Sequence, residues 1–519
     1  MSDASTRRFV PARPPVRWRL WTVVAALCAA ALAVALPLAG ERWWPSEHRC
    51  ATGVVQRGAG DECVGVTDGS YVYAEEFAEV SAKIRDENER VAKSGEDWVA
   101  IAYTEPMTRR SGSFPHNDRS PQVIRQAIEG AYLAQVELNR GGGHGRTPQV
   151  KLLLANSGQG GEQWRPLVEQ LVDMAGDGEH RLVAVAGFGQ SVTTTRETVD
   201  ALRAAEIPMV GSTVAADGLS SQDPTFFRVS SPNADQTAVA ATYLKGRQAK
   251  GARIDVVKDI KRDDTYNQSL GANFGRAAKA ARLRLETPDG HRFVSGSASA
   301  ANTLADIAAT VCRPERRLDA VYFAGRGREL KLFVEALTAP GRDCPLTVLS
   351  GSSALGVFYD PPVTGSEAVG GDVLARWRAS AGLRVLYTAY AHPDGARRIY
   401  PAKAANPYPA FADAYDLAFG GDRELRSGQA MMGHDSVLTL GTAIRRAAGP
   451  RGGDAVDAAG VRNMLLQIGQ SGPLPGLSGP IAFDAKGNPH RKPMALVELR
   501  PEPERRYSYR GTVWAHGPR

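Results

Sequence analysis

Short apolar runs that alternate with amphipathic helical segments are the feature that most constrains the fold of this chain. Segments with apolar residues at helical spacing, such as 121–139 and 234–250, lie between most of these runs. Runs that are continuously apolar indicate strands buried on both faces, and their alternation with helices indicates parallel sheets. The β-branched-rich runs are 98–103, 150–156, 182–188, 207–212, 254–259, 318–325 and 344–351.

This pattern predicts a doubly wound α/β architecture with two sheets. The chain has 519 residues, and a single core rarely grows beyond roughly 250–300 residues. A hydrophobic content of 43% and a charged content of 23% are ordinary for globular proteins. The net charge is +7, and arginines are concentrated in the first twenty residues. This distribution predicts a topogenic tail and no nucleic-acid partner.

An uncharged segment, 20–38, follows that tail. Its length of about nineteen residues is close to what a helix needs to cross a bilayer. Arginines before it and Trp43 and Trp44 after it predict a cytoplasmic amino terminus and an extracytoplasmic bulk. The alternative is a cleaved signal peptide, which requires small residues in an A-x-A pattern. Because "PLAGE" lacks that pattern, we predict a single-pass membrane anchor.

Four cysteines follow the anchor. Cys50 and Cys63 flank a glycine-containing loop, and Cys312 and Cys344 flank a strand and a helix. An oxidising compartment permits disulfides between them, although four cysteines allow three connectivities and buried free thiols are the alternative. The chain has neither a C-x-x-C pattern nor metal-ligand histidine spacing, so we predict no metal and no cofactor.

Several segments, taken in order, carry a family resemblance. The stretch "AIEGAYLAQVELNRGGGHGRTPQVKLLLANSG" (127–158) places a long helix ending in Asn, a glycine-rich turn and a strand in succession. Together with the later segments it resembles the type 1 periplasmic-binding-protein fold, in its branched-chain amino acid (Leu/Ile/Val) binding branch of ABC-transporter substrate-binding proteins. The later segments are "PMVGSTVAADGL" (208–219), "FFRVSSPNADQTAVAATYLK" (226–245), "DDTYNQSLGANF" (263–274), "HDSVLTLGTAIRRA" (434–447) and "GLSGPIAFDAKGNP" (476–489).

The resemblance covers about 97–500 and implies two α/β lobes joined by crossovers, with a ligand held between them by hinge closure. We therefore predict a basic cytoplasmic tail (1–19), a transmembrane signal-anchor (20–38), an extracellular linker with the Cys50/Cys63 loop and an amphipathic helix (39–96), a first lobe (97–236 and 393–472), a second lobe (237–392 and 473–500) and a C-terminal tail (501–519).

Hydroxyl side chains follow two neighbouring strands of the predicted first lobe. Ser191, Thr193 and Thr194 follow the run 182–188, and Ser212 and Thr213 follow the next run. Ligands of open α/β sheets bind at the carboxyl ends of strands, where helix amino termini favour anions. We therefore predict a cradle for a carboxylate-like group. The alternative role is plain helix capping.

In the second lobe the resemblance places Tyr266 over the ligand. Asp264 either contacts a ligand ammonium or caps the following helix, and Gly325 allows the backbone to approach the cleft. Arg326 either reaches the cleft or faces solvent. The segment "VLSGSSALG" (348–356) lacks the acidic residue with which the family binds a ligand ammonium, so a free amino acid is only one candidate ligand.

These features predict a non-enzymatic, extracytoplasmic solute-binding protein that captures a small polar, amino acid-like ligand, with an ABC permease and the membrane as partners. The alternative is a membrane-anchored sensor or a non-transporting scaffold with a degenerate site. An enzyme is disfavoured because the sequence has no nucleophile–base or metal constellation. The serines of 350–356 lack the spacing of a nucleophile elbow.

Overall fold

A computed structural model describes residues 49–108, 119–141, 147–316, 318–342, 344–359, 370–380, 382–400, 406–449, 456–469 and 472–515. The chain divides into two compact units, Met1–Cys50 and Ala51–Arg519. The first unit contributes Arg49 and Cys50 to the described residues, in strand β1 (Arg49–Ala51). All other described elements belong to the second unit. The predicted tail (1–19) and anchor (20–38) lie outside the described residues.

The second unit contains two sheets, as the apolar runs predict. From β2 onwards the first sheet has the order β2-β3-β5-β4-β6-β7-β8, and its strands are parallel from β5 to β8. These parallel strands are almost entirely buried, which explains why their sequences are continuously apolar. The bounds are β2 (Val54–Arg57), β3 (Glu62–Thr67), β4 (Trp98–Glu105), β5 (Gln149–Asn156), β6 (Leu182–Gly187), β7 (Met209–Gly211) and β8 (Phe226–Arg228).

The second sheet has the order β10-β9-β11-β12-β13-β14-β15. It is parallel as far as β13, and β14 and β15 add to it in antiparallel pairs. Its strands are β9 (Ile254–Asp259), β10 (His291–Phe293), β11 (Ala320–Ala324), β12 (Thr347–Ser350), β13 (Arg384–Ala389), β14 (Pro493–Leu499) and β15 (Tyr507–Trp514).

Helices connect the strands in both sheets. The α-helices are α1 (Ala78–Lys93), α2 (Pro121–Arg140), α3 (Trp164–Gly176), α4 (Thr193–Ala204), α5 (Asn233–Gln248), α6 (Thr265–Ala280), α7 (Ala300–Val311), α8 (Gly327–Leu337), α9 (Gly356–Tyr359), α10 (Gly370–Ala379), α11 (Pro393–Ile399), α12 (Tyr408–Phe419), α13 (Gln429–Ala448) and α14 (Ala458–Gln467). Short 3-10 turns are Glu75–Phe77, Gln159–Gly161, Asp217–Leu219, Pro314–Arg316, Ser352–Leu355, Asp422–Ser427 and Pro503–Arg505. No helix in this described part of the chain is long and apolar enough to cross a membrane.

Helices α2 and α13 pack against each other at two glycines. A Cβ atom on Gly130 would lie 1.8 Å from the Ala430 carbonyl oxygen, and one on Gly433 would lie 1.9 Å from the Ala127 carbonyl oxygen. Any larger residue at either position would separate the helices. The glycine at 433 is therefore a packing site inside α13, which begins at Gln429.

Two segments assigned to a linker and a tail contain strands. β2 and β3 lie within 39–96, and β3 pairs with β5 through residues such as Val66 and Ala155. β15 lies within 501–519 and pairs with β14. These strands are short or follow turns, so their periodicity is weak. The amphipathic helix expected within 39–96 is α1.

Cys312 and Cys344 form a disulfide across a sequence separation of 32 residues. It joins the end of α7 to the segment that precedes β12. Cys50 and Cys63 are each in the disulfide-bonded form. These four thiols are therefore not free, which is consistent with the predicted oxidising compartment.

Candidate ligand-binding cleft

A polar cavity lies where the carboxyl ends of strands from both sheets meet. It has a volume of about 70 Å³. The first-sheet side contributes Arg119, Ser120, Gln190, Ser191, Thr213 and Gln429, and the second-sheet side contributes Tyr266, Arg326, Ser352, Ser353 and Tyr390. We call this cavity the cleft. Its position is the one that parallel α/β sheets use for ligands.

The loop after β6 owes its shape to left-handed backbone. Gly187, Phe188 and Gly189 have φ values of 97°, 73° and 57°. A Cβ atom on Gly189 would lie 2.7 Å from the Glu105 carboxylate, so glycine is needed at this position. The turn directs the following residues, Gln190 and Ser191, to the cleft.

The hydroxyls of Ser191 and Thr213 join the two predicted loops to each other. Ser191 Oγ accepts the backbone N–H groups of Ala215 and Ala216 at 2.9 and 3.0 Å. Thr213 Oγ1 donates to the Gly189 carbonyl oxygen at 2.7 Å. Both residues line the cleft, and these bonds fix the positions of the loops around it.

Ser212 and Thr194 point away from the cleft. Ser212 is fully buried and its Oγ donates to the Gly187 carbonyl oxygen at 3.1 Å. Thr194 Oγ1 donates to the Gly160 carbonyl oxygen at 3.1 Å and lines a neighbouring cavity. Neither residue belongs to the described lining of the cleft, because the pleat and the helical turn direct these side chains elsewhere.

Helix α4 begins at Thr193 without a side-chain cap. Its N-cap residue is Val192, which cannot accept a hydrogen bond through its side chain. Capping of α4 therefore does not explain the hydroxyl cluster. The Thr193 hydroxyl instead donates to the Asp263 carbonyl oxygen at 3.0 Å, which links the loop after β6 to the residues before α6.

Asp264 and Arg326 form a buried ion pair beside the cleft. Arg326 Nη2 lies 3.0 Å from Asp264 Oδ1, and Nε donates to Oδ2. Asp264 also caps α6 by accepting the Asn267 N–H at 2.9 Å. The capping alternative for Asp264 is therefore present in the structure. Arg326, for which cleft and solvent were both open, is buried and lines the cleft.

The Arg326 guanidinium also bridges the two sides of the cleft. Nη1 donates to Gln190 Oε1 and Nη2 donates to the Ser191 carbonyl oxygen, both at 3.0 Å. Burial favours the neutral form, but Asp264 outweighs it and raises the pKa of Arg326. The cation therefore closes the cleft from the second-sheet side.

Tyr266 lines the cleft from the start of α6. Its hydroxyl accepts the Ser353 N–H at 3.1 Å, and its own N–H donates to the Ser191 carbonyl oxygen at 3.2 Å. The Arg326 guanidinium lies 5.1 Å from the centre of its ring. Burial raises the pKa of Tyr266, so the phenol stays neutral.

Gly325 was predicted to let the backbone approach the cleft, but in the structure it makes room for aromatic rings. A Cβ atom there would lie 2.6 Å from the Phe323 ring and 3.1 Å from the Phe293 ring. The missing side chain therefore accommodates the aromatic core beneath the second sheet. Gly325 is not part of the described cleft lining.

Several cleft residues were missed by sequence reasoning. Arg119 Nη1 donates to both Glu105 oxygens at 2.9 Å, and Nη2 donates to Gln429 Oε1 at 2.9 Å. Ser352 Oγ donates to the Tyr390 hydroxyl at 2.7 Å. The sequence signal for Ser352 is the serine pair after β12. Arg119 carried no local signal.

The arrangement is suited to holding a small ligand without covalent chemistry. Its polar groups come from both sheets and most of them are buried, so they are already oriented. Within the described ranges, no group of three or more His, Cys, Asp or Glu side chains is placed to hold a metal ion.

Two doubly wound sheets with a polar cavity between the carboxyl ends of their strands define a cleft-type solute receptor. The family model described as "Periplasmic binding protein" matches residues 120–504. The chain belongs to this family, whose members bind solutes outside the cytoplasm. No curated protein matches the chain.

Solved structures of solute receptors share this fold. A leucine-binding protein from Thermotoga maritima is 18% identical, with a TM-score of 0.55 over 80% of this chain and 98% of that chain. A branched-chain amino acid transporter substrate-binding protein from Streptococcus pneumoniae, in complex with isoleucine, is 17% identical, with a TM-score of 0.56 over 80% and 100%. A solute-binding protein from R. palustris, in complex with 4-hydroxybenzoate, is 13% identical, with a TM-score of 0.55 over 80% and 97%.

Proposed function

We propose that this protein captures a small polar ligand in the cleft by hinge closure and delivers it to an ABC importer. The observation that carries the proposal is the cleft itself, which is lined by polar groups from both sheets. Hydrogen bonds across it from Arg326, Tyr266 and Thr193 support a closed arrangement of the two sides. A ligand that adds contacts to both sides shifts such an equilibrium further towards closure.

The structural neighbours support a ligand of amino acid size that carries a carboxylate. One was solved with isoleucine and another with 4-hydroxybenzoate. The residues proposed to contact the ligand are Ser191, Thr213 and Tyr266, which line the cleft. Ser212, Thr194 and Gly325 contribute indirectly, by shaping the loops and the sheet around it.

A sensor or scaffold is the second candidate, and the size of the cleft favours it. A cavity of about 70 Å³ accommodates only about five to seven water-sized groups, at roughly 10–15 Å³ each. Because Arg326 and Asp264 close one side, a larger ligand requires the cleft to open. A protein that stays closed would suit a fixed scaffold.

The membrane attachment is also proposed. The uncharged segment 20–38 and the arginines before it support an anchor that holds the receptor at the outer face of the membrane.

A thermal-shift screen of the full chain in mild detergent tests the proposed function. The panel contains amino acids, small carboxylates, polyamines, sugars and nucleosides. A ligand at about a hundred times its Kd stabilises by about 2.7 kcal/mol. Tyr266→Phe, which removes a hydroxyl in the cleft, is expected to reduce the shift.

Tyr509→Phe is the matched control because its hydroxyl bonds Thr512 on β15, away from the cleft lining. It is expected to keep the full shift. A folded protein that no compound stabilises would favour the scaffold over the receptor.

A further inference from the structure

The charge of the cleft lining is unusual for a site that binds zwitterionic amino acids. Among the described residues, the lining includes two guanidinium groups, Arg119 and Arg326, and no carboxylate. A ligand ammonium in this cavity would lose its water and meet two cations. The described lining therefore offers a ligand ammonium no carboxylate.

The two carboxylates nearest to these arginines are already engaged. Both oxygens of Glu105 accept from Arg119, and both oxygens of Asp264 accept from Arg326. Both acids are buried, with exposed fractions of 1% and 0%. An ammonium group would have to share either acid with its arginine, so it would meet a carboxylate whose charge is already compensated.

Gln190 and Arg326 both line the cleft, and Gln190 also lines the neighbouring cavity that contains Thr194. Gln190 is 9% exposed, and its Nε2 is buried without a hydrogen-bond partner in the described chain. The orientation of the amide is fixed because Oε1 accepts from Arg326 Nη1. The reversed amide would place two donors against each other. Nη1 carries a second N–H next to the amide, so both groups offer donors to an acceptor.

We infer that the physiological ligand is a small organic carboxylate without an ammonium group, and that Gln190 and Arg326 are the residues that select it. This inference rests on the proposed function and names the ligand class of the same cleft. The carboxylate accepts from the Gln190 amide and the free Arg326 N–H. Its hydrocarbon part needs no charged partner.

Matched pairs of compounds test the inference by isothermal titration calorimetry on the full chain. Each pair differs only in the ammonium group: alanine and propanoate, leucine and 4-methylpentanoate, phenylalanine and 3-phenylpropanoate. For at least one pair the carboxylate is expected to bind about 10- to 100-fold more tightly, because a desolvated ammonium lacks its charge-assisted partner. The amine 3-methylbutylamine is expected not to bind.

Variants at Gln190 show whether this residue makes the selection. Gln190→Leu keeps the approximate shape and removes both the amide donor and the oxygen that accepts from Arg326, so carboxylate affinity is expected to fall about tenfold. Gln190→Glu places a negative charge there and is expected to weaken carboxylates further than amines. Thermal melting verifies that each variant folds. Gln248→Leu is the matched control. Gln248 is the last residue of α5, its amide bonds the backbone of Arg284, and it lies outside the described cleft lining.

The outcomes separate the two proposals. Tighter binding of the amino acid in every pair would overturn the inferred ligand class and leave the receptor function standing. Carboxylate binding that Gln190→Leu leaves unchanged would overturn the role of Gln190. Binding of neither member of any pair, by protein that melts cooperatively, would count against the receptor function and the inference together.

Discussion

The ion pair between Asp264 and Arg326 is the interaction whose removal tests the cleft geometry most sharply. Asp264→Asn removes the negative charge while an amide oxygen remains to cap α6, since Asn and Asp cap helices about equally well. The Arg326 guanidinium is then left buried with neutral acceptors alone, among them Gln190 Oε1 and the Ser191 carbonyl oxygen.

The magnitude follows from this burial. Removing one member of a buried ion pair costs about 3–5 kcal/mol. For domains of 150–250 residues, about 2–4 °C of Tm is lost per kcal/mol, so the expected decrease is about 6–20 °C. Hinge opening brings water to Arg326 and reduces the loss, so the lower part of this range is expected.

Thermal unfolding followed by circular dichroism measures the change, and small-angle X-ray scattering measures the opening. Asp264→Ala is expected to lose about a further 1 kcal/mol, because the helix cap is removed as well. Asp457→Asn is the matched control: Asp457 caps α14 through Gly460 and is exposed. A decrease in Tm for Asp264→Asn no larger than for this control would refute the proposed role of the ion pair.

Three further predictions concern buried groups and the disulfide. His434 is buried, but hydrogen bonds to its acidic neighbours outweigh burial and raise its pKa to about 9. Because the folded pKa lies above the unfolded value, protonation of His434 contributes about 3 kcal/mol to the free energy of unfolding below pH 6.5. This contribution is lost as the pH rises to 9. The difference in stability between wild type and His434→Gln, measured by urea unfolding, should therefore shrink over this range, and a constant difference would contradict the protonated ring. Burial, reinforced by Asp259, raises the pKa of Glu329 to about 8, so its ionisation costs about 4–5 kcal/mol of stability as pH rises from 4.5 to 8. Glu329→Gln should be more stable than wild type at pH 9 and similar to it at pH 4, and equal stability at both pH values would count against this. The double variant Cys312→Ser, Cys344→Ser should lose about 3–4 kcal/mol, as expected for a closed loop of 32 residues. Reductant should lower the Tm of wild type by more than that of the variant, in which Cys50 and Cys63 are still disulfide-bonded.

The sheets could be predicted because strands that are buried on both faces have continuously apolar sequences. Each of the seven apolar runs forms a strand, for example 98–103 in β4 and 254–259 in β9. β14 and β15 were not predicted. Their pairing is antiparallel and depends on a return of the chain from residue 389 to residue 493, a distant contact that local periodicity does not encode.

The cleft could be predicted in position but not in chemistry. Both hydroxyl loops lie beside it, yet the hydroxyls of Ser191 and Thr213 bond the backbone of the opposite loop. Whether Arg326 faces solvent or the cleft depends on Asp264, which is 62 residues away in sequence. Gln190 carried no motif, because its importance arises only from a donor left unpaired after folding.

A crystal structure grown with the carboxylate that stabilises the chain most is the most direct test of cleft binding. Our account predicts a ligand between the two sheets, with its carboxylate about 3 Å from the Gln190 amide nitrogen and the Arg326 guanidinium. A ligand bound elsewhere, with the cleft still closed by Arg326 and Asp264, would contradict it.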